Sequence, residues 1–132
     1  MMKTNENVKK VVFEWEYGPD DVSLAVGSYY YGKGIYIQMI SYSDDRPEPF
    51  SDMTVNIPSY SLEPNEAFID GDMSEDLLRF IQNYHLGEVL PFTGQSGYRS
   101  YEAVAFDLSR LREFDPQGVE AFEKLHGLHQ NE

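Results

Sequence analysis

The chain has 132 residues, no cysteine, and 10 basic against 23 acidic side chains, a formal net charge of −13. The missing cysteine excludes a disulfide scaffold, a thiolate zinc site, an iron–sulfur cluster and a cysteine nucleophile. The acidic excess opposes direct contact with nucleic acid, whose affinity comes largely from protein cations that release condensed counterions. With 41% hydrophobic and 14% aromatic residues, the chain is too apolar for a disordered acidic tail, and its length suffices to close one core without a covalent staple.

Residues 1–7 are polar and read as a loose N-terminal tail, residues 8–126 as a single domain, and residues 127–132 as a loose C-terminal tail. Val11, Phe13, Trp15 and Tyr17 alternate with Val12, Glu14 and Glu16, the period of a strand with one buried face. Gly18-Pro19-Asp20-Asp21 reads as a turn. A second strand spans Val22 to Tyr31 with Val22, Leu24 and Val26 on one face, and Gly32-Lys33-Gly34 predicts a tight hairpin to a third strand from Ile35 to Ser43. Asp44 to Asp52 holds Pro47 and Pro49 within an acidic run and reads as an exposed loop.

Met53, Val55 and Ile57 alternate with Thr54 and Asn56 in a short strand that Pro58 halts, and another brief strand is expected at Ala67 to Asp70. Leu77, Leu78, Ile81 and Tyr84 then follow a helical stripe. Asp72 with Glu75 resembles a capping box and Gly87 supplies a stop, so a helix is expected from about Met73 to His85. Glu88 to Phe92 reads as a strand, Thr93 to Gly97 as a loop, and Tyr98 to Leu108 as extended chain. Asp115-Pro116 pairs an N-cap acceptor with proline at the first helical position and opens a last helix docked by Val119, Phe122 and Leu125 or His126. The expected fold is α+β, a largely antiparallel meander of about five or six strands with two α-helices.

No familiar catalytic constellation emerges from the spacing. Gly27 to Lys33 matches the start of a phosphate-binding loop, but Gly34 and a β-branched strand follow where a hydroxyl residue and a helix are needed. Lys33-Gly34-Ile35-Tyr36-Ile37 has the look of an RNA-stacking strand, which the acidic balance opposes. Asp70-Gly71-Asp72-Met73-Ser74-Glu75-Asp76 starts like a calcium loop, yet Glu75 stands where the glycine belongs and Ile81 where the last glutamate belongs. His85, His126 and His129 lack metal-ligand spacing. Gly94-Gln95-Ser96-Gly97 is one residue short of a nucleophile elbow.

What stands out is the distribution of charge. Asp44, Asp45, Glu48, Asp52, Glu63, Glu66, Asp70, Asp72, Glu75 and Asp76 crowd one quarter of the chain with Arg46 as the one base among them, and this quarter holds nine of the thirteen net charges. The adjacent Tyr29, Tyr30 and Tyr31 cannot all face one side of a strand, so at least one points away from the main core, and together with Tyr36, Tyr42 and Phe50 these aromatics beside acids are expected interface anchors. The acids, with Tyr30 and Tyr42, are the expected partner-binding residues. No run of 18 apolar residues and no secretory h-region is present, so neither a membrane span nor export is expected and a cytoplasmic setting is.

Gly34-Ile35-Tyr36-Ile37-Gln38-Met39-Ile40, Thr54-Val55-Asn56-Ile57-Pro58, Leu62 and Glu66-Ala67-Phe68 resemble a family of small proteins of unknown function. That family occurs on conjugative and integrative elements of Gram-positive bacteria. The resemblance runs from about Val22 to Leu108 and includes Gly97-Tyr98, Val104 and Leu108. Where family members tend to carry lysine and asparagine at the helix start, this chain has Ile69-Asp70-Gly71-Asp72 and Asp76. The resemblance implies a genomic setting and brings no activity or cofactor with it.

These features predict a non-enzymatic accessory protein of a mobile element or phage that binds a basic protein partner, in its sharpest form as a DNA mimic occupying the basic groove of a nuclease or defence enzyme. A carboxylate hydrolase using Asp70, Asp72 and Glu75 with a metal is the enzymatic alternative. A homo-oligomer pairing through an exposed tyrosine strand is the structural one.

Overall fold

The computed structural model describes residues 8–29, 34–44 and 46–128. The two expected tails fall largely outside that range, as do the tip of the tyrosine hairpin, Tyr30 with it, and Asp45. Among the described residues, eight strands and three helices form an α+β fold in which every strand pairing is antiparallel.

The first sheet is a meander in chain order: β1 (Val11–Trp15), β2 (Gly18–Ser28), β3 (Ile35–Ser41) and β4 (Glu48–Asp52). Period-two alternation sets its inner face, burying Phe13, Val22, Leu24, Val26, Ile35, Ile37 and Met39. The β1–β2 turn is Glu16-Tyr17, not the Gly18-Pro19-Asp20-Asp21 stretch that composition suggests. Trp15 pairs with Gly18 and Glu14 with Pro19. Proline is tolerated here because Pro19 sits in a non-hydrogen-bonded pair with β1, so no ladder bond to β1 is lost. The Tyr29 N–H donates to Gly34 O at 3.0 Å and closes the next hairpin.

Pro47 and Pro49 mislead in the same way, because Glu48 to Asp52 is the edge strand β4 instead of a loop. Ile40 faces Pro49 and Met39 faces Ser51, leaving Phe50 as the extra residue of a bulge. The bulge turns Phe50 inward onto Phe13 and Trp15, with ring centroids at 5.8 and 5.0 Å.

The chain then switches sheets at Met53, which is fully buried. Its N–H donates to Ile37 O at 2.8 Å and its carbonyl accepts from the Asp70 N–H at 2.9 Å, so one residue stitches the first sheet to the second. The second sheet has the order β5 (Thr54–Val55), β6 (Glu66–Ile69), β8 (Arg99–Phe106), β7 (Gly87–Ser96). The expected loop at Thr93 to Gly97 is instead the end of β7. It turns back through Gly97-Tyr98, with Gly97 at a φ of 64° that glycine adopts without steric cost.

Helix α1 (Ser74–Asn83) buries Leu77, Phe80 and Ile81. Two details of its ends differ from expectation. Met73 is the N-cap and no side chain caps it, because Asp72 is engaged elsewhere. The stop is not Gly87 but His85, held at a φ of 57°, with Leu86 N–H donating to Ile81 O and His85 N–H to Gln82 O as in a Schellman motif. A one-turn helix α2 (Leu108–Leu111), capped by Asp107, lies between the expected extended chain and the last helix. Its Arg110 donates to the Tyr84 carbonyl at 3.0 Å, supplying α1 with the C-terminal cation that its own last turn lacks.

Helix α3 (Pro116–Leu125) starts as the sequence predicts, with Asp115 Oδ1 accepting from the Gly118 N–H at 3.0 Å. Its other oxygen accepts from the Val26 N–H at 2.9 Å. β1 pairs with β2 only as far as Val22, so Asp115 serves a stretch of β2 that β1 does not reach. Both sheets and all three helices contribute to one apolar core. No helix among the described residues is long and apolar enough to cross a membrane.

Candidate partner-binding surface

The acids of residues 44–76 are dealt into separate neighbourhoods, because the chain between them crosses from one sheet to the other and on to α1. Asp44 and Glu48 are exposed and share a shallow groove with Ser43 and Arg46. Glu63 is exposed; Glu66 is half-buried and its Oε1 accepts from the Glu63 N–H at 3.1 Å. Tyr42 is half-buried, with Lys10 Nζ 5.0 Å from its ring centre, a cation–π contact.

Asp70 lies close enough to Asp52, Asp72 and the Arg99 guanidinium to feel the charge of each. Arg99 Nη1 donates to Asp72 Oδ1 at 2.7 Å. Burial pushes the Asp70 carboxyl above its ordinary range, the Asp72 N–H opposes that shift, and the neighbouring carboxylate of Asp72 reinforces it. Asp52 Oδ1 accepts from the Tyr36 hydroxyl at 2.7 Å. Desolvation first, and that bond second, push the Tyr36 phenol up to about 12. Tyr29 packs edge-on to Tyr36 and bonds Thr54 Oγ1 at 2.8 Å, so both rings belong to a local network.

Asp72, with Glu75 and Asp76, also belongs to a further neighbourhood, around the first turn of α1. They line an open groove with Glu16 of the β1–β2 turn, Gly71, Met73 and Ser74. Asp76 also borders a second groove, lined by Val12, Glu14, Arg79, Phe80, Asn83 and Tyr84. Packing of Phe13 edge-on against Phe80 at 5.1 Å holds β1 beside α1 and so brings Glu14 and Glu16, which lie outside residues 44–76, to the acids at the start of α1. Glu14, Glu16, Asp72, Glu75 and Asp76 therefore line two adjoining grooves. Within them, Arg79 donates to Asp76 at 3.0 Å. Tyr17 beside Glu16 is 77% exposed and its ring meets Trp15 at 5.2 Å.

Glu14 and Glu16 were not among the residues expected from sequence. The signal that could have found them is their alternation with Val11, Phe13 and Trp15, which marks an acidic outer face on β1. No group of three or more His, Asp or Glu side chains converges in metal-binding geometry among the described residues.

Comparison with curated proteins and with solved structures gives no match. A family profile described as a domain of unknown function, DUF4313, matches residues 23–126. Strand β1, with Glu14 and Glu16, precedes the matched range. With the greater part of its length matched, including seven of its strands and all of its helices in whole or in large part, the chain belongs to the DUF4313 family of proteins of unknown function.

Proposed function

We propose that this protein is a non-catalytic accessory factor that binds a basic protein partner, acting in the cytoplasm of a Gram-positive bacterium that carries it on a mobile element or phage. The observation that carries the reading is the meeting of β1 and α1, which aligns Glu14, Glu16, Asp72, Glu75 and Asp76 along two open grooves. Carboxylates gathered this way create a local negative field that accelerates encounter with a cationic surface and fixes its orientation. In the sharpest version the partner is a nuclease or defence enzyme, and the carboxylates take the place of DNA phosphates in its basic groove.

The test is capture of partners from a host lysate, followed by titration of the captured protein. A nucleic-acid-binding protein is expected, with affinity falling about tenfold or more between about 0.05 and 0.5 M salt. Replacing Glu14, Glu16, Glu75 and Asp76 by their amides should reproduce that loss, while amides at Asp44, Glu48 and Glu63 should not. Duplex DNA should displace the protein from its partner if the mimic version holds. Salt-independent binding, or equal effects of the two sets of substitutions, would refute the reading.

A further inference from the structure

Among the described residues, the four sheet edges are not equally protected. β4 carries Pro49 and a bulge, β7 carries Pro91 and an interrupted register between Val89 and Thr93, and β5 has two residues. Proline, bulges and brevity are the usual means of blunting an edge against strand addition. β1, Val-Val-Phe-Glu-Trp, has none of them.

Its hydrogen-bonding parity follows from the turn. A two-residue turn makes Trp15 and Gly18 the first bonded pair, so Val11, Phe13 and Trp15 direct their N–H and C=O groups to β2, while Val12 and Glu14 direct theirs to the open side. Tyr84 confirms that parity, since its hydroxyl donates to the Val12 carbonyl at 3.1 Å from that side. Alongside runs the groove lined by Glu14, Asp76, Phe80 and Tyr84, and Val12 is 39% exposed in it.

We propose that β1 accepts an extended basic segment of the partner as a fifth strand of the first sheet. Its main chain pairs with Val12 and Glu14, and its lysine or arginine side chains meet Glu14, Glu16 and Asp76. An incoming N–H takes over the Val12 carbonyl that the Tyr84 hydroxyl holds in the free protein. Charge complementarity selects this occupant over a second copy. Two β1 edges side by side would set Glu14 and Glu16 of one chain against those of the other, on proteins of net charge −13 each. This inference rests on the acidic-surface reading above and adds the mode of recognition.

The probe is a capped octapeptide of alternating lysine and threonine, compared with the same peptide N-methylated at every backbone nitrogen. The two carry equal charge, but the second cannot donate main-chain hydrogen bonds. Strand addition predicts that the methylated peptide binds the wild-type protein about tenfold or more weakly, and that the unmodified one slows amide exchange at Val12 and Glu14 about tenfold. Val12→Pro removes an outward N–H while leaving the ladder to β2 intact, and should weaken binding to a similar degree. Should this variant misfold, the two-peptide comparison on the wild type still decides.

Equal affinity of the two peptides, with the loss on amide substitution of Glu14, Glu16 and Asp76 retained, overturns strand addition and leaves the acidic-surface reading standing. Absence of binding by both peptides at low salt overturns both. A dimer by light scattering that Val12→Pro converts to monomer assigns the edge to self-association and overturns the proposal.

Discussion

His126 closes α3 with its ring against Phe122, centroids 4.4 Å apart, and its Nε2 3.0 Å from Ser28 Oγ on β2. Burial lowers its pKa below the ordinary 6.5. The native state therefore binds its proton less readily than the unfolded chain, so the stability associated with the neutral ring is fully present above about 6.5 and is lost as pH falls from there toward the lower native value. His126→Gln removes the titration while keeping a hydrogen-bonding side chain for Ser28. The melting temperature of the wild type should fall more steeply than that of the variant between about pH 7 and pH 5; parallel profiles would show that the imidazole does not couple to folding. The sequence offers this ring as a docking residue of the last helix, alternative to Leu125, and its contact with Phe122 four residues back follows from helical spacing; its bond to Ser28, on a distant strand, does not.

Among the elements, α3 shows how a local signal acquires a tertiary role. Asp115-Pro116 is readable as a helix start because capping involves residues three apart in the chain. That the same carboxylate also satisfies the Val26 N–H follows from β1 being five residues long and β2 eleven, a mismatch that pairing alone reveals. Asp115→Ala removes both bonds and should cost about 2–3 kcal/mol, the sum of a cap and an unsatisfied backbone donor. Asp115→Asn keeps an acceptor and should lose less. Urea denaturation of the three proteins measures this, and a loss no larger than an ordinary cap of about 1 kcal/mol would mean that the Val26 bond adds nothing. β4 gives the opposite lesson, since two prolines obscured a strand whose bulge brings Phe50 to Phe13 and Trp15.

For the molecule as a whole, the excess of acid acts on the folded state through self-repulsion. Six ion pairs offset part of it among the described residues, including the nearly buried Glu123 with Arg112 at 2.6 Å and the exposed Asp72 with Arg99. Exposed pairs contribute little each, so the net repulsion should dominate the response to salt. Raising sodium chloride from about 0.02 to 0.5 M should therefore raise the melting temperature, and tetramethylammonium chloride should do the same, since screening does not depend on which cation supplies it. A melting temperature that falls with salt would show that the ion pairs outweigh the repulsion. A rise with sodium alone would point to specific binding of that ion.

The sequence by itself determined the elements whose causes are local. These are the alternation that buries Phe13, Val22, Leu24, Val26, Ile35, Ile37 and Met39, the apolar stripe of α1, and the Asp115-Pro116 start of α3. It also determined the net charge, and counting along the chain placed most of that charge within residues 44–76. The tertiary structure alone decided which carboxylates stand together. The chain changes sheets at Met53, which separates Asp44 and Glu48 from Asp72 and Asp76, and Phe13 packs on Phe80, which brings Glu14 and Glu16 to α1. A charge count follows the covalent chain, whereas the field at a surface depends on distance through space, and that distance is set by the packing of the apolar side chains beneath it.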